Sequence, residues 1–437
     1  MSLRFIDLKK TNYAIGTIKI PGSKSISNRI LLLSALSGGS TIIKNLLDSD
    51  DTQIMIRVLL DLGVEIKKEK STEVYEVKGI AGNFPNLNAD LFVGNAGTVI
   101  RPVTAILSCI GKGKYNIYGL PRMHERPIGD LVDSLNALGA KIDYKEKISF
   151  PPLSILSKKI DAEKISISGN VSSQFLSSVL LAAPLIAREK KLKIKVTGNL
   201  ISKPYVNITT SIMKIFGIET NIIDENTFLM NAGMNYKSPG EINVESDASS
   251  ASYFLAAGAI TGGPVRVEGL GKFSIQGDIF FTEILKKMGA KITISENWIE
   301  SSSQKILQPI DYDFNNMPDV AMTAAIVSLF ANGTSFIRNI GSWRVKETDR
   351  LSAMSKELSK LGVKVYEGKD FLKLTPPKNF IPAEIDTYDD HRIAMCFSLV
   401  SLNSKLRNGT DIRINNPQCV SKTFPRYFEY FKKLLIN

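Results

Sequence analysis

The chain has 437 residues, of which 43% are hydrophobic and 22% charged; this balance excludes a largely disordered protein and is sufficient for two or three domains. The formal net charge of +12 suits anionic partners such as phosphates, carboxylates or nucleic acid, although lysines on a solvated surface would give the same excess. Three scattered cysteines and two histidines predict a reducing compartment, no disulfide framework and no zinc site. No apolar run is long enough to span a membrane, and residues 1–10 alternate apolar and charged residues, so we expect no secretory signal and a cytoplasmic protein.

A helix that ends at a glycine and is followed by a strand recurs along the chain about every 73 residues. Each helix is amphipathic, and the glycine is a typical C-cap. The segment FPRYFEYFKKLLIN resembles a sixth copy that stops before its strand. The five complete copies end at Gly63, Gly139, Gly217, Gly289 and Gly362.

A second helix, almost wholly apolar and preceded by a short polar stretch, alternates with the first. Six copies predict six repeat units, each with two helices and intervening strands. The apolar helices belong inside and the amphipathic ones outside. The copies align at Ser25, Gly97, Ser172, Ser249, Asp319 and His391.

Six units are most simply divided into two domains of three. The turn-rich stretch NAGMNYKSPG separates the third unit from the fourth, and residues before Pro21 must join a sheet elsewhere in the chain. We therefore predict one domain from 22–240 and another from 1–21 together with 241–437.

The polar starts of the apolar helices contain basic residues as well as capping residues. Capping alone explains Ser, Asn and Asp there, but not Lys24, Arg29, Arg101 or Arg392. Because a helix N-terminus attracts anions, these starts predict a small polyanionic ligand between the domains. The basic segments GLPRMHERPIGD and WRVKETDR would also suit phosphate or carboxylate clamping, although the second fits a charged helix start equally well.

Ten motifs, in order along the chain, resemble those of the EPSP synthases (5-enolpyruvylshikimate-3-phosphate synthases) of the enolpyruvyl transferase family. They are PGSKSISNR, LDSDDT, GNAGTVIRP, PRMHERPIGDLVDSL, SGNVSSQF, SKPYVNIT, MPDVAM, NIGSWRVKETDR, YDDHR and SKTFPRYF. The resemblance implies an α/β fold of two inside-out α/β domains built from six βαβαββ repeat units, with the active site in the cleft between the domains. It agrees with the repeat pattern, which was obtained without it.

The resemblance also implies an activity. Such an enzyme transfers the enolpyruvyl group of phosphoenolpyruvate to the 5-hydroxyl of shikimate 3-phosphate and releases phosphate, in the shikimate pathway to chorismate and the aromatic amino acids. It needs no cofactor and no metal, is inhibited by glyphosate, and is usually a monomer. Shikimate 3-phosphate is expected mainly on the N-terminal domain and phosphoenolpyruvate mainly on the C-terminal one.

The resemblance assigns roles to residues at matching positions. It implies Asp319 as the base, Glu347 as the acid that delivers the methyl proton, and Lys24 as a catalytic residue between the substrates. Substrate-binding positions are Lys24, Ser25, Arg29, Asn95, Gly97, Arg126, Ser172, Ser173, Gln174, Ser202, Tyr205, Asp319, Ser342, Lys346, Arg350, Arg392 and Lys422.

Two positions and two rival functions stay open. Ser342 stands where the family usually has Asn, and His391 could either order Arg392 or take part in proton transfer. A sister enzyme transfers enolpyruvate to UDP-N-acetylglucosamine, but the loop cysteine typical of that family does not occur in GLPRMHERPIG. A non-catalytic protein that binds anions or RNA would need aromatic stacking platforms, and Trp343 is the one candidate at a basic cluster.

Overall fold

The computed structural model describes residues 4–70 and 73–436, and the chain divides into two compact units. The internal unit is Gly22–Val244, and the terminal unit combines the chain up to Pro21 with the chain from Glu245 onward. The sequence pattern predicted that the internal unit ends at residue 240 rather than at Val244. The difference arises because Glu241–Asn243 forms a strand that pairs with Ile42–Lys44 of the internal unit.

Helices occur along the whole described chain, separated by one or more strands. The α-helices are α1 (Lys24–Leu36), α2 (Asp50–Asp61), α3 (Gly97–Cys109), α4 (Gly129–Asn136), α5 (Ser173–Ile186), α6 (Pro204–Ile215), α7 (Ala248–Thr261), α8 (Phe281–Lys287), α9 (Ala321–Ser328), α10 (Arg350–Lys360), α11 (His391–Ser398) and α12 (Tyr427–Lys433). The strands are β1 (Phe5–Leu8), β2 (Tyr13–Ala14), β3 (Gly16–Lys19), β4 (Ser40–Lys44), β5 (Glu65–Lys68), β6 (Tyr75–Lys78), β7 (Asn88–Phe92), β8 (Lys114–Tyr118), β9 (Lys141–Tyr144), β10 (Leu153–Leu156), β11 (Lys164–Ser168), β12 (Leu192–Thr197), β13 (Thr220–Asp224), β14 (Thr227–Met230), β15 (Glu241–Asn243), β16 (Val265–Glu268), β17 (Lys291–Ile294), β18 (Trp298–Ser302), β19 (Asp311–Asp313), β20 (Ser335–Arg338), β21 (Lys364–Glu367), β22 (Leu372–Thr375), β23 (Ala383–Ile385), β24 (Ile412–Asn415) and β25 (Leu435–Ile436).

One connection pattern is repeated in the sheets. In the sheet β7-β8-β10-β9, β7 is parallel to β8 across α3, and β8 is antiparallel to β10, which forms a hairpin with β9. The same order recurs in β11-β12-β14-β13 and in β19-β20-β22-β21. This is the βαβαββ unit that the resemblance implied, and the predicted α/β fold is confirmed.

Two of the six repeat units take their first strand from a distant part of the chain. β15 lies parallel to β4 and completes the first sheet of the internal unit, whereas β3 lies parallel to β16 and completes a sheet of the terminal unit. In the sixth repeat unit, β1 pairs antiparallel with β24. The truncated sixth copy thus receives a strand from the start of the chain.

The apolar helices α1, α3, α5, α7, α9 and α11 form the interiors of the two units. Every residue of α7, Ala248–Thr261, is buried, and so is every residue of α9 and α11. Within the internal unit α3 packs on α5, and within the terminal unit α9 packs on α7 and α11. Across residues 4–70 and 73–436, no helix combines the length and apolar character required to cross a membrane.

The helices that alternate with them are amphipathic and end as the glycine pattern predicted. Gly63 after α2 has φ +87°, and Gly362 after α10 has φ +83°. A left-handed backbone there suits glycine and stops the helix before the next strand begins. The predicted glycine C-caps are confirmed.

Candidate active site

The terminal unit holds an acidic side chain surrounded by three cations. One carboxylate oxygen of Asp319 accepts a hydrogen bond from Arg392 Nη2 at 2.9 Å, and the other accepts from Arg350 Nη1 at 3.1 Å. Lys346 Nζ lies 3.7 Å from Asp319 Oδ1. Four of the residues predicted from the motifs therefore meet at one point.

Arg350 is the centre of this cluster and is fully buried. Its Nη2 donates to Glu347 Oε2 at 2.8 Å, and its Nε donates to Asp390 Oδ2 at 2.8 Å. Burial lowers the pKa of Arg350, but the charges of Asp390, Glu347 and Asp319 outweigh burial and hold that pKa above its usual range. Arg350 is therefore a permanent cation that fixes three carboxylates.

Opposed effects also determine the pKa of Asp319. Burial raises it, but the positive charges of Arg392, Lys346 and Arg350 together hold the pKa of Asp319 well below its ordinary value. The carboxylate is therefore ionised at neutral pH. It is held by cations that an anionic ligand could compete for.

A buried tryptophan positions the segment that carries the basic motif. Trp343 is fully buried in the 3₁₀ helix Gly341–Val345, and its Nε1 donates to the carbonyl of Pro318 at 2.7 Å. This bond ties the basic segment to the residue before Asp319. It also means that Trp343 offers no exposed ring on which a nucleic-acid base could stack.

Asp278 is a second buried carboxyl in the terminal unit. Burial, followed by repulsion from Asp319, raises its pKa to about 6. Its carboxylate accepts a hydrogen bond from the hydroxyl of Ser249, and it lines a largely apolar pocket of about 200 Å³. Two acidic side chains in one unit thus have pKa values displaced in opposite directions.

The internal unit buries an arginine at the start of α1. Arg29 donates from Nε to Thr209 Oγ1 at 2.8 Å and from Nη1 to the carbonyl of Ser25 at 2.8 Å. Its Nη2 lies 3.4 Å from the carbonyl of Tyr205. Burial lowers the pKa of Arg29 to about 10, so the side chain remains charged at neutral pH.

A second group of charges surrounds Gly97 at the start of α3. Arg101 Nη1 donates to Gln174 Oε1 at 2.8 Å, and Arg126 Nη1 donates to both the carbonyl and the side-chain oxygen of Asn95 at 2.9 Å. A Cβ atom at Gly97 would lie 2.2 Å from Arg101 Nη1 and 2.9 Å from Arg126 Nη2. Only glycine leaves both guanidinium groups in place.

A pocket connects the starts of the three apolar helices of the internal unit. It brings Arg29, Gly97 and Gln174 to one space of about 310 Å³ that is partly open to solvent. The pocket is lined by Asn28, Arg29, Leu32, Gly97, Thr98, Pro102, Gln174, Ser177 and Leu181.

The remaining predicted residues of the internal unit lie at turns and helix starts. Lys24 Nζ is 3.3 Å from the buried Asp51 Oδ2. Ser172 is the N-cap of α5, where its hydroxyl accepts from the amide of Gln174 at 3.2 Å, and Ser173 is the first residue of that helix. Ser202 is buried, with a left-handed backbone at φ +54°.

Three residues of the terminal unit lie on other segments. Ser342 is half-buried in the 3₁₀ helix that carries Trp343, and Lys422 is buried at the end of the 3₁₀ helix Pro417–Lys422. His391 is fully buried at the start of α11, with Nδ1 3.6 Å from Asp390 Oδ1.

A model of the EPSP synthase (3-phosphoshikimate 1-carboxyvinyltransferase) family matches residues 8–431. The chain belongs to the EPSP synthase family. It is 57% identical over 430 residues to the 3-phosphoshikimate 1-carboxyvinyltransferase of Herminiimonas arsenicoxydans, covering 98% of this chain and 97% of that one. It is 55% identical to the enzyme of the same name from Paraburkholderia phymatum over 99% of both chains. The predicted family and the prediction of an enzyme of this class are confirmed.

Two solved structures of enolpyruvyl transferases have the same fold as this chain. EPSP synthase from Acinetobacter baumannii superposes with a TM-score of 0.79 at 24% identity, covering 99% of this chain and 98% of that one. The enolpyruvyl transferase NikO from Streptomyces tendae superposes with a TM-score of 0.77 at 14% identity, covering 98% and 97%. These likenesses concern the fold, which the EPSP synthase family shares with a second enolpyruvyl transferase.

Sequence reasoning left four acidic or basic residues of these clusters unassigned. Arg101 follows Gly97 by one helical turn and was noted only as a basic helix start. Asp390 lies in the EPSP synthase motif YDDHR, and its position as N-cap of α11 could have identified it. Asp51 lies in the motif LDSDDT but was given no role, and Asp278 lies in none of the motifs and bonds to a residue of a distant segment.

Proposed function

We propose that the chain transfers the enolpyruvyl group of phosphoenolpyruvate to the 5-hydroxyl of shikimate 3-phosphate and releases inorganic phosphate. One observation carries this proposal: Asp319 lies among three cations, and one of them, the buried Arg350, also binds Glu347. The reaction needs an acid, a base and cations for anionic substrates, and this cluster supplies all three. Membership of the EPSP synthase family supports the same reaction.

We assign the first proton transfer to Glu347. Protonation of C3 of phosphoenolpyruvate turns the methylene into a methyl group and makes C2 electrophilic. The oxygen of the 5-hydroxyl then bonds to C2 and gives a tetrahedral intermediate. Loss of a methyl proton and of the phosphate group restores the double bond and leaves the enolpyruvyl ether.

We assign the removal of the hydroxyl proton to Asp319. Its pKa is far too low for an efficient base while Arg350 and Arg392 are bonded to it. Phosphoenolpyruvate brings a carboxylate and a phosphate that compete for the same guanidinium groups. Weaker pairing raises the pKa of Asp319, so that binding of the second substrate activates the base.

Shikimate 3-phosphate would bind mainly through the internal unit. Ser172 and Ser173 lie at a helix N-terminus, which favours a phosphate through its free amide groups. Lys24 would lie between the two substrates, and Lys346 would contact the hydroxyl region near Asp319. The other residues assigned to this substrate are Ser25, Arg29, Gln174, Ser202, Tyr205 and Ser342.

Phosphoenolpyruvate would bind through arginines, namely Arg126, Arg350 and Arg392. Because Gly97 has no Cβ atom, its backbone leaves room for this substrate beside Arg126. Glyphosate, an anion of similar size, would compete for this position. The residues assigned to phosphoenolpyruvate are Gly97, Arg126, Arg350, Arg392 and Lys422. Asn95, which accepts a hydrogen bond from Arg126, would also belong to the substrate-binding site.

We further propose a cytoplasmic monomer that acts in aromatic amino acid biosynthesis. The three free cysteines are all buried, which suits a reducing compartment. Sedimentation of the purified chain at several concentrations tests the monomer, since a self-associating protein would change its apparent mass with concentration.

The reaction is tested by phosphate release from phosphoenolpyruvate with each substrate omitted in turn. Release should require shikimate 3-phosphate and no added metal. UDP-N-acetylglucosamine serves as the competing acceptor. Release with that sugar nucleotide alone, or equal release without any acceptor, would contradict the proposal.

A further inference from the structure

The segment before α11 has an unfavourable backbone at two consecutive residues. Tyr388 has φ +53° and Asp389 has φ +55°. Neither residue is glycine, and the left-handed region crowds the Cβ atom of any other residue. Such a conformation persists only where surrounding contacts hold it.

The side chain of Glu357, on α10, supplies two of these contacts. It is fully buried, and it accepts from the Tyr388 hydroxyl at 2.7 Å and from the amide of Asp386 at 3.0 Å. Lys360 Nζ lies 2.7 Å from the same carboxylate and balances its charge. Glu357 therefore holds the first residue of the left-handed pair and the segment immediately before it.

The same helix holds the segment immediately after that pair. Arg350, at the start of α10, donates to both oxygens of Asp390 at 2.8 Å and 3.3 Å. Asp390 Oδ1 also accepts from the amide of Arg392 at 2.9 Å. The guanidinium of Arg392 in turn reaches Asp319. Two residues of α10, Glu357 and Arg350, thus bond to the two sides of the left-handed turn that precedes Arg392.

We propose that Glu357 and Tyr388 are positioning residues that hold the guanidinium of Arg392 in place to receive phosphoenolpyruvate. This inference rests on the proposed function, which assigns Arg392 to that substrate. Neither residue touches a substrate. Both act through the left-handed turn and the start of α11.

Removal of one hydroxyl provides a mild test. Tyr388 is 39% exposed, so Tyr388→Phe opens no cavity in the core but removes the bond to Glu357. Tyr144→Phe is the matched control, because the Tyr144 hydroxyl lies 3.3 Å from Asp133 at the surface of the internal unit.

We expect Tyr388→Phe to raise the KM for phosphoenolpyruvate by about three- to tenfold, since a hydrogen bond to a charged group is lost. The KM for shikimate 3-phosphate and kcat should change by less than about twofold. Hydrogen exchange at residues 386–392 should become faster. Glu357→Gln should act in the same direction, and the double variant should lose less than the sum of the two, because the residues act as a pair.

A purely structural role would give a different pattern. It would lower the melting temperature while leaving both KM values unchanged, or it would raise both KM values equally, and either result would overturn the proposal. If the wild-type chain does not use phosphoenolpyruvate, the proposed function fails. The exchange rates at residues 386–392 then still decide whether the Tyr388 hydroxyl holds the turn, and unchanged rates would refute it.

Discussion

At the scale of single residues, the charges of the terminal unit are arranged for binding rather than for stability. Arg350 and Asp390 are completely buried, and burying a charge costs solvation that pairing only partly restores. A protein with apolar residues of similar size at such buried positions would often be at least as stable. The retention of Asp319, Glu347 and Arg350 in one cluster is therefore best explained by the chemistry that we propose.

Glu347→Gln tests the acid directly. The amide keeps the size of the side chain but cannot deliver the proton, so kcat should fall by about two orders of magnitude or more. Binding of shikimate 3-phosphate, measured by calorimetry, should change little. A variant with near wild-type turnover would remove Glu347 from the mechanism.

Gly97→Ala tests the crowded position at the start of α3. The added methyl group would lie 2.2 Å from Arg101 Nη1, so that guanidinium must move away from Gln174. We expect a higher KM for phosphoenolpyruvate and weaker inhibition by glyphosate in steady-state assays.

Gly38→Ala is the control, because a Cβ at Gly38 meets nothing within 4 Å. Equal inhibition of Gly97→Ala and the wild-type chain would show that Gly97 does not face this ligand.

Asp278→Asn should stabilise the protein at neutral pH. The pKa of Asp278 is about 6 in the folded state, above the model-compound value of 3.8, so ionising this carboxyl costs folding free energy as the pH rises between those values. The gain should approach about 3 kcal/mol at pH 7 and disappear below about pH 4. Thermal unfolding at both pH values measures it, and an equal gain at pH 4 would exclude titration as the cause.

At the scale of elements, the repeat period predicted most of the secondary structure. Helices that end at Gly63 and Gly362 have a strong signal, because an amphipathic pattern and a cap coincide in one short segment. β15 has only three residues, and nothing in their sequence indicates that β4 is its partner. Pairings between distant segments, such as that of Lys24 with Asp51, likewise require the folded chain.

Ile242→Pro tests the place of β15 in the internal unit. Proline removes the amide of a residue that pairs with Ile43, so amides of Ile42–Lys44 should exchange at least about tenfold faster. Amides of Val265–Glu268, in a sheet of the terminal unit, are the internal control. If β15 belonged to the terminal unit instead, the amides of Val265–Glu268 would be the ones to exchange faster.

At the scale of the whole molecule, two units of the same repeating architecture each bury three apolar helices. Each also completes a sheet with a strand that is distant in sequence, β15 in the internal unit and β3 in the terminal unit. The motifs predicted the family, and the structure brings Lys346, Arg350 and Arg392 of those motifs around Asp319. The motifs did not predict which carboxylate holds which cation, since that depends on how Asp390 and the residues before it meet Arg350 and Glu357 of α10. Those contacts arise between segments that no single motif contains.

The central claim is that these clusters carry out enolpyruvyl transfer through a methyl intermediate. The most direct measurement is mass spectrometry of the product formed from phosphoenolpyruvate and shikimate 3-phosphate in deuterium oxide, with phosphate measured in parallel. We predict the enolpyruvyl ether of shikimate 3-phosphate, with deuterium in its methylene group and one phosphate released for each product. An unchanged shikimate 3-phosphate, or a product without deuterium, would contradict the account.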